Sequence, residues 1–493
     1  MMGRHKSPPV LFAFNVNLDQ RVRADNPLRR IAERVDFSSV RDAVAHCYGR
    51  NGNVSVDPVV IMKMMLVLFL DDVASERELM RIIPERLDYL WFLGYGLDDP
   101  LPDHSVLSKA RTRWGADVFE TLFATTVALC VHHHLVDGET VHLDGSLIDA
   151  NASTNSVVKG APALIDALRA VLDRETAKLD DLGGPEAPAE EADEPDDGER
   201  VNRGLVSTTD PDAPIVRHGG QEPRPRYKNH RAVDDARGVI TATRTTAGDA
   251  KENGELFALV AQHETNTRRA VRTVVTDSQY GTVENFRSCQ ERGLRSHMAD
   301  LALTSAGRGR RKGIFGERAF AYDEATDTYR CPAGQTLRRR AHKRTRRAYE
   351  YTAGKATCDA CRLRGRCTRS HTTGRIVKRH EGHALIEAAR ADSHSAAAKR
   401  DRRRRKHLME GSFADAANNH GFKRSRWRRL WRQRIQDALI AAVQNIRILL
   451  RHVPARTKGS GRGGVGMPPL ACVGVLAVLW LLRGLRMAHT GRG

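Results

Sequence analysis

Three acidic residues stand where side-chain chemistry can be assembled. Asp144 lies in TVHLDGSLIDANAS after a short β-like run, Asp277 closes a second such run in VRTVVTDSQYGTVENF, and Glu410 sits in the arginine-loaded helical stretch RRRRKHLMEGSF. Carboxylates on two strand ends and one helix are what a pocket for two divalent cations needs. One ion activates an attacking oxygen and the other steadies the leaving oxygen, about 4 Å away. Mg²⁺ suits such a site, with Mn²⁺ as its substitute, because it takes a few carboxylates and completes its shell with water and substrate oxygens. Spacing alone does not choose the acids: Asp149 competes with Asp144, and Glu381 and Glu387 compete with Glu410. Asp144 is preferred over Asp149 because it sits at the β-like run, whereas Asp149 begins ANAS, read as a turn or helix start.

A second constellation is made of thiols. YRCPAG supplies Cys331, and CDACRLRGRC supplies Cys358, Cys361 and Cys367. Four thiolates suit a closed, tetrahedral structural zinc site, which keeps no open position for catalysis. Cys47, Cys130, Cys289 and Cys472 are scattered and read as reduced, isolated thiols.

The charge balance names the partner class. Lys and Arg total 80 against 60 Asp and Glu, a formal charge of +20, which calls for a polyanion: DNA, RNA or an anionic membrane surface. The basic residues cluster in RRRAHKRTRR, KRDRRRRKHLME and GFKRSRWRRLWRQR, the last holding Lys423 and Arg424. Arg403, Lys406 and His407 precede Glu410 by seven, four and three residues, so they share its helical face. A phosphate lying over that face explains why one sign dominates it. Trp427 and Trp431, four residues apart, read as one helix face that either stacks on bases or packs in a core.

The elements that must position these groups are legible in outline. Residues 1–135 read as helical: DPVVIMKMMLVLFLDDV is a buried helix with Asp57 as N-cap and Pro58 at its first position, and Ser75 and Glu78 have capping-box spacing. A helix-turn-helix module and a plain helical bundle fit this region equally. From 136 to 304 the order is a strand, a helix, an acidic Pro/Gly-rich linker over 176–200 expected to be disordered, a hairpin in RYKNHRAVDD and RGVITATRTT, then helix, strand, helix, strand. That order predicts an α/β fold with a mixed sheet. Residues 305–375 form a Cys-rich insertion, 376–453 return to helix, and 454–493 form a Gly/Pro-rich and apolar tail. The tail's apolar run, LACVGVLAVLWLL, has thirteen residues where a bilayer needs roughly 20, so no membrane role is expected. MMGRHKSPPVLFAF has no secretory-signal pattern, and a cytoplasmic location is expected.

These segments resemble, in order, the DDE transposases of bacterial insertion sequences, in the group with a zinc-ribbon-like insertion. The resemblance runs over residues 10–452: DPVVIMKMMLVLFL to LPDHSVLSKARTRW is similar to the family's N-terminal domain, and LDGSLIDANAS to its first acidic motif. YKNH, with Tyr227, Lys228 and His230, is similar to the second-strand signature, VVTDSQYGTVENF to the second acidic motif and RKHLMEGSF to the third. The resemblance implies an RNase H-like core in which Asp144, Asp277 and Glu410 hold two Mg²⁺ ions. It also implies a structural Zn²⁺ on Cys331, Cys358, Cys361 and Cys367. The implied function is a DNA transposase that cuts at element ends and transfers the strands, acting on double-stranded DNA as a homodimer pairing two ends at the nucleoid. Lys228, His230, Arg403, Lys406, Lys423 and Arg424 are the expected DNA contacts. After GSF the chain reads ADAANNHGFKR where many relatives have a glycine and then a lysine, and Lys423 is the candidate for that contact. The alternatives are a nuclease with the same core that does not join strands, and an inactive zinc-containing DNA-binding relic.

Overall fold

A computed structural model describes residues 16–49, 54–159, 162–180, 205–300 and 313–454. The opening segment, most of the acidic linker and the apolar tail lie outside the described residues. The chain divides into two compact units, residues up to 118 together with the chain from 449 onward, and residues 119–448.

The first unit is helical. Its helices are α1 (Leu18–Arg21), α2 (Pro27–Ala32), α3 (Ser39–Val44), α4 (Pro58–Leu70), α5 (Glu76–Ile82), α6 (Leu87–Leu93) and α7 (Ser105–Trp114). α4 is apolar on every side, and its residues from Pro58 to Met62 and Met64 to Phe69 are buried. A helix of that kind belongs at the centre of a bundle, ringed by its neighbours. Asp57 caps it by accepting from Val59 N at 2.9 Å, with Pro58 at the first position. Ser75 Oγ accepts from Glu78 N at 3.1 Å at the start of α5. No single helix among the described residues is long and apolar enough to cross a membrane.

The unit boundary falls before the expected 135. The next helix, α8 (Asp117–His132), packs its Thr126 and Cys130 against Asn445 and pairs Glu120 with Arg434, inside the second unit.

The second unit is built on a mixed sheet. Its main strands are β1 (Thr140–Asp149), β5 (Arg224–Asp234), β6 (Ile240–Ala247), β7 (Thr273–Val275) and β8 (Arg295–His297). Between β1 and β5 come β2 (Val157–Lys159), α9 (Pro162–Asp180), β3 (Leu205–Ser207) and the short β4 (Ile215–Val216), which extends the β5 edge. The spatial order is β6-β5-β1-β7-β8: β5 runs antiparallel to β1 and β6, while β7 runs parallel to β1 and β8. This is the expected α/β architecture with a mixed sheet, and β1 lies at its centre.

Alternation along β1 sorts the two faces. Val141 and Leu143 join a core with Leu256, Leu259 and Val260 of α10 (Leu256–Thr267) and Phe286 of α11 (Val283–Glu291). His142 and Asp144 point the other way.

Between β8 and the final helices, a five-stranded antiparallel sheet runs β13-β12-β11-β10-β9. Its strands are β9 (Ala321–Asp323), β10 (Thr328–Arg330), β11 (Thr336–Lys343), β12 (Ala348–Thr352) and β13 (Ile376–His380), with the short α12 (Lys355–Asp359) before β13. It has its own small core of Phe320, Tyr329, Leu337, Tyr351, Ala353 and Val377. β13 carries the insertion past its expected end at 375, because Val377 pairs with Tyr351 and fills that core.

The chain ends in α13 (His383–Ser393), α14 (Ala396–Asn419) and α15 (Leu430–His452). α14 lies on the His142 and Asp144 face of the sheet, with Ala398, Met409, Phe413 and Ala416 buried. Trp427 precedes α15, so it shares no helix face with Trp431, contrary to the expectation from their spacing.

Candidate metal centre

Asp144 and Asp277 meet. β1 and β7 run parallel side by side, so the carboxylate on β1 and the one two residues past Val275 arrive at the same end of the sheet. A third acid joins them. Ligand oxygens of Asp144, Glu252 and Asp277 lie within 4.8 Å of one another, and all three residues are half-buried. At that separation two like charges repel by roughly 3 kcal/mol for an effective dielectric of 20. Three together therefore need positive charge close by.

Two cations supply part of it. Arg405 of α14 places Nη1 2.7 Å from Asp144 Oδ2. Lys228 of β5 places Nζ 3.4 Å from Glu252 Oε1 and donates to Ala250 O at 2.8 Å. Burial still raises the Asp144 carboxyl above its ordinary range, with Arg405 pulling against it. Burial likewise raises Glu252, opposed by Lys228 and reinforced by Asp277 and Asp144. An uncompensated buried carboxylate is a group a divalent cation would relieve.

Glu252 gets there through a gap in β1. A Cβ at Gly145 would stand 3.1 Å from Glu252 Cδ, so the bare backbone after Asp144 is what lets the side chain lie against the strand. Asn285, at the start of α11, donates to the carbonyls of Asn253 at 3.1 Å and Tyr280 at 2.9 Å. It thereby ties the Glu252 turn to the loop after Asp277. Glu252 was not among the acids singled out in the sequence. The segment TTAGDAKENGELF is a polar turn with three acids, and only the β6-to-α10 connection shows which of them reaches the sheet.

Glu410 is not brought to this group. Its side chain is 68% exposed, and Lys406 Nζ lies 3.9 Å from its Oε1. The reason is helical phase: at 100° per residue, Arg405 and Glu410 stand about 140° apart around the axis. Met409 and Phe413 turn inward with Arg405, while Arg403, Lys406, His407 and Glu410 face outward. Asp149 belongs to a different arrangement. It ends β1 rather than starting a turn, and it is clamped by Arg226 at 2.7 Å and Arg224 at 3.5 Å.

The expected DNA contacts divide. Arg403, Lys406, Lys423 and Arg424 are exposed, and Lys423 Nζ donates to Ser146 Oγ at 2.7 Å. Lys228 is turned to Glu252. His230 must be corrected: it is fully buried on β5, its Nε2 is 2.9 Å from Thr246 Oγ1, and burial lowers its pKa to about 3. A neutral, enclosed imidazole makes no phosphate contact.

Cys331, Cys358, Cys361 and Cys367 are free thiols that line one pocket. Burial raises the Cys367 thiol, and the other three sulphurs add to the shift while Arg375 opposes it. A Cβ at Gly374 would come 2.8 Å from Cys358 Sγ, so glycine keeps the thiol in place. Four sulphur donors line that space and are the donor chemistry of a closed zinc site, although, among the described residues, no three of them converge within 4.8 Å as the acids do.

Residues 16–113 match the model of a transposase domain, and residues 330–450 match the model of a transposase DDE domain. They cover the N-terminal stretch and the third acidic motif of the segments that resemble insertion-sequence DDE transposases, and that resemblance is borne out, while the Asp144 and Asp277 motifs lie between the two matches. No curated protein matches the chain. Among solved structures, the chain is similar to the piggyBac transposase synaptic complex with hairpin DNA at 10% identity and a TM-score of 0.33, covering 88% of this chain and 77% of that one.

Proposed function

We propose that this chain, a DDE-type transposase by its two domain matches, cuts DNA at insertion-sequence ends and transfers the freed strands into target DNA. One observation carries the chemistry: ligand oxygens of Asp144, Glu252 and Asp277 converge within 4.8 Å at one end of the sheet. In our reading Asp144 and Asp277 hold Mg²⁺, or Mn²⁺ in its place. The bound ions supply Lewis-acid activation of a water, then of the 3′-hydroxyl, for in-line attack on phosphorus. The chain's own residues align the phosphodiester and screen its charge.

The outward face of α14, with Arg403, Lys406 and His407, is offered to the DNA, alongside exposed Lys423 and Arg424. Glu410 lies on that face, and we assign it to the site only in a DNA-bound form in which phosphate draws Arg405 off Asp144 and α14 turns. The helical N-terminal unit is assigned to the terminal repeats, and a homodimer to pairing of two ends. The four cysteines are assigned to a structural Zn²⁺. Action on DNA places the protein with the nucleoid in the cytoplasm.

The test is purified protein with paired element ends, Mg²⁺ and target DNA, compared with Asp277→Ala. Cleavage and joining by the unmutated protein, both lost in the variant, is the expected result. Cleavage without joining makes it a nuclease. DNA binding without cleavage makes it a binding relic and ends the enzymatic reading.

A further inference from the structure

Beside Asp144 and Asp277, one more acid of the same pocket is given no ligand role by the two-aspartate reading. Glu252 has its carboxylate turned inward, 19% exposed, held by Lys228 and admitted by Gly145. Its ligand oxygen lies within 4.8 Å of those of Asp144 and Asp277, so a divalent cation held by the aspartates would meet it.

We propose that Glu252 is a third carboxylate ligand of the cation pocket, already in place in the DNA-free chain. The assignment rests on the two-aspartate reading above and adds to it. Lys228 then acts as a positioning residue. It holds one Glu252 oxygen to the side, leaving the other to the cation, instead of contacting DNA. Asn285 does the same from the backbone, by bridging the Asn253 and Tyr280 carbonyls. The part of Glu252 is to bind the ion and fix its place over Gly145.

The experiment uses the full chain without DNA and reads cation binding. Mn²⁺ is titrated by electron paramagnetic resonance into the unmutated protein, Glu252→Gln and Asp277→Asn, with thermal melting as a check on folding. Glu252→Gln is expected to weaken Mn²⁺ binding about tenfold or more, as Asp277→Asn does. In parallel, Fe²⁺ with ascorbate and peroxide is loaded into the unmutated protein, and hydroxyl-radical cuts in the backbone are mapped. Cuts are expected near residues 144, 252 and 277, and this arm needs no variant to fold. Unchanged Mn²⁺ affinity in a folded Glu252→Gln, or cuts near 144 and 277 with none near 252, overturns the Glu252 assignment and leaves the aspartates standing. Equal affinity in all three proteins, or no cuts at the pocket, removes the cation site itself and Glu252 with it.

Discussion

Arg405 Nη1 lies 2.7 Å from Asp144 Oδ2, so the carboxylate at the centre of the sheet is already paired with a cation from α14. The two side chains are 13% and 24% exposed, which leaves the pair only partly screened by water. A divalent ion at Asp144 must compete with this guanidinium. Arg405→Ala is therefore expected to tighten Mn²⁺ binding by the DNA-free protein, on the order of tenfold, equivalent to about 1.4 kcal/mol. Calorimetric titration of both proteins measures it. Weaker binding in the variant would mean that Arg405 shapes the pocket rather than blocking it.

The exposed basic residues predict a salt dependence. Each phosphate contact removed should flatten the plot of log affinity against log salt by about 0.9. Arg403→Ala with Lys406→Ala is expected to lower the slope by about 2, and Lys423→Ala with Arg424→Ala similarly. Filter binding of duplex DNA over a salt series reads this directly. A slope that stays put would take these residues off the DNA path.

The thiol pocket predicts one zinc per chain. Cys361→Ser is expected to lose the metal and to lower the melting temperature by on the order of 5 °C, with a strong chelator doing the same to the unmutated protein. Elemental analysis beside a melting curve decides it; a fully stable, zinc-free chain is the contrary result.

His230 predicts an acid sensitivity. Its folded pKa is lowered from 6.5 to about 3, with burial the leading cause. The unfolded chain therefore takes up a proton that the folded chain refuses. The stability this contributes is intact above 6.5 and drains away as pH falls toward 3, at up to about 1.4 kcal/mol per pH unit. His230→Gln should flatten denaturant-measured stability across that window while leaving the DNA salt slope unchanged. Identical pH profiles for the two proteins would refute it.

Asp144 and Asp277 could be found in the sequence because each follows a run of β-forming residues; Asp277 lies just past β7, while β1 continues beyond Asp144 to Asp149, which the sequence did not show. Glu252 could not. Nothing local separates it from Asp249 or Glu255 in the same turn, and its role depends on Gly145, more than a hundred positions earlier. The helix carrying Glu410 was legible, but its rotation was not. Ala398, Met409, Phe413 and Ala416 are too sparse among the arginines to mark the inner face, so Arg405 and Glu410 could not be told apart. His230 looked like a surface residue because it is polar. β5 is flanked on both edges and covered, so nearly every side chain on it is buried whatever its type.

The far end of β1 is closed by a segment from much later in the chain. Asp149 N donates to Lys423 O at 3.0 Å, Ser425 N donates to Asp149 O at 2.9 Å, and the Lys423 and Ser146 side chains that also join are 277 residues apart. On a ribosome adding roughly 5–20 residues per second, β1 waits on the order of 15 to 55 s for that closing segment. A chain stopped short of it lacks these hydrogen bonds at the Asp149 end of β1, so the last closure of the strand that carries Asp144 comes late in synthesis.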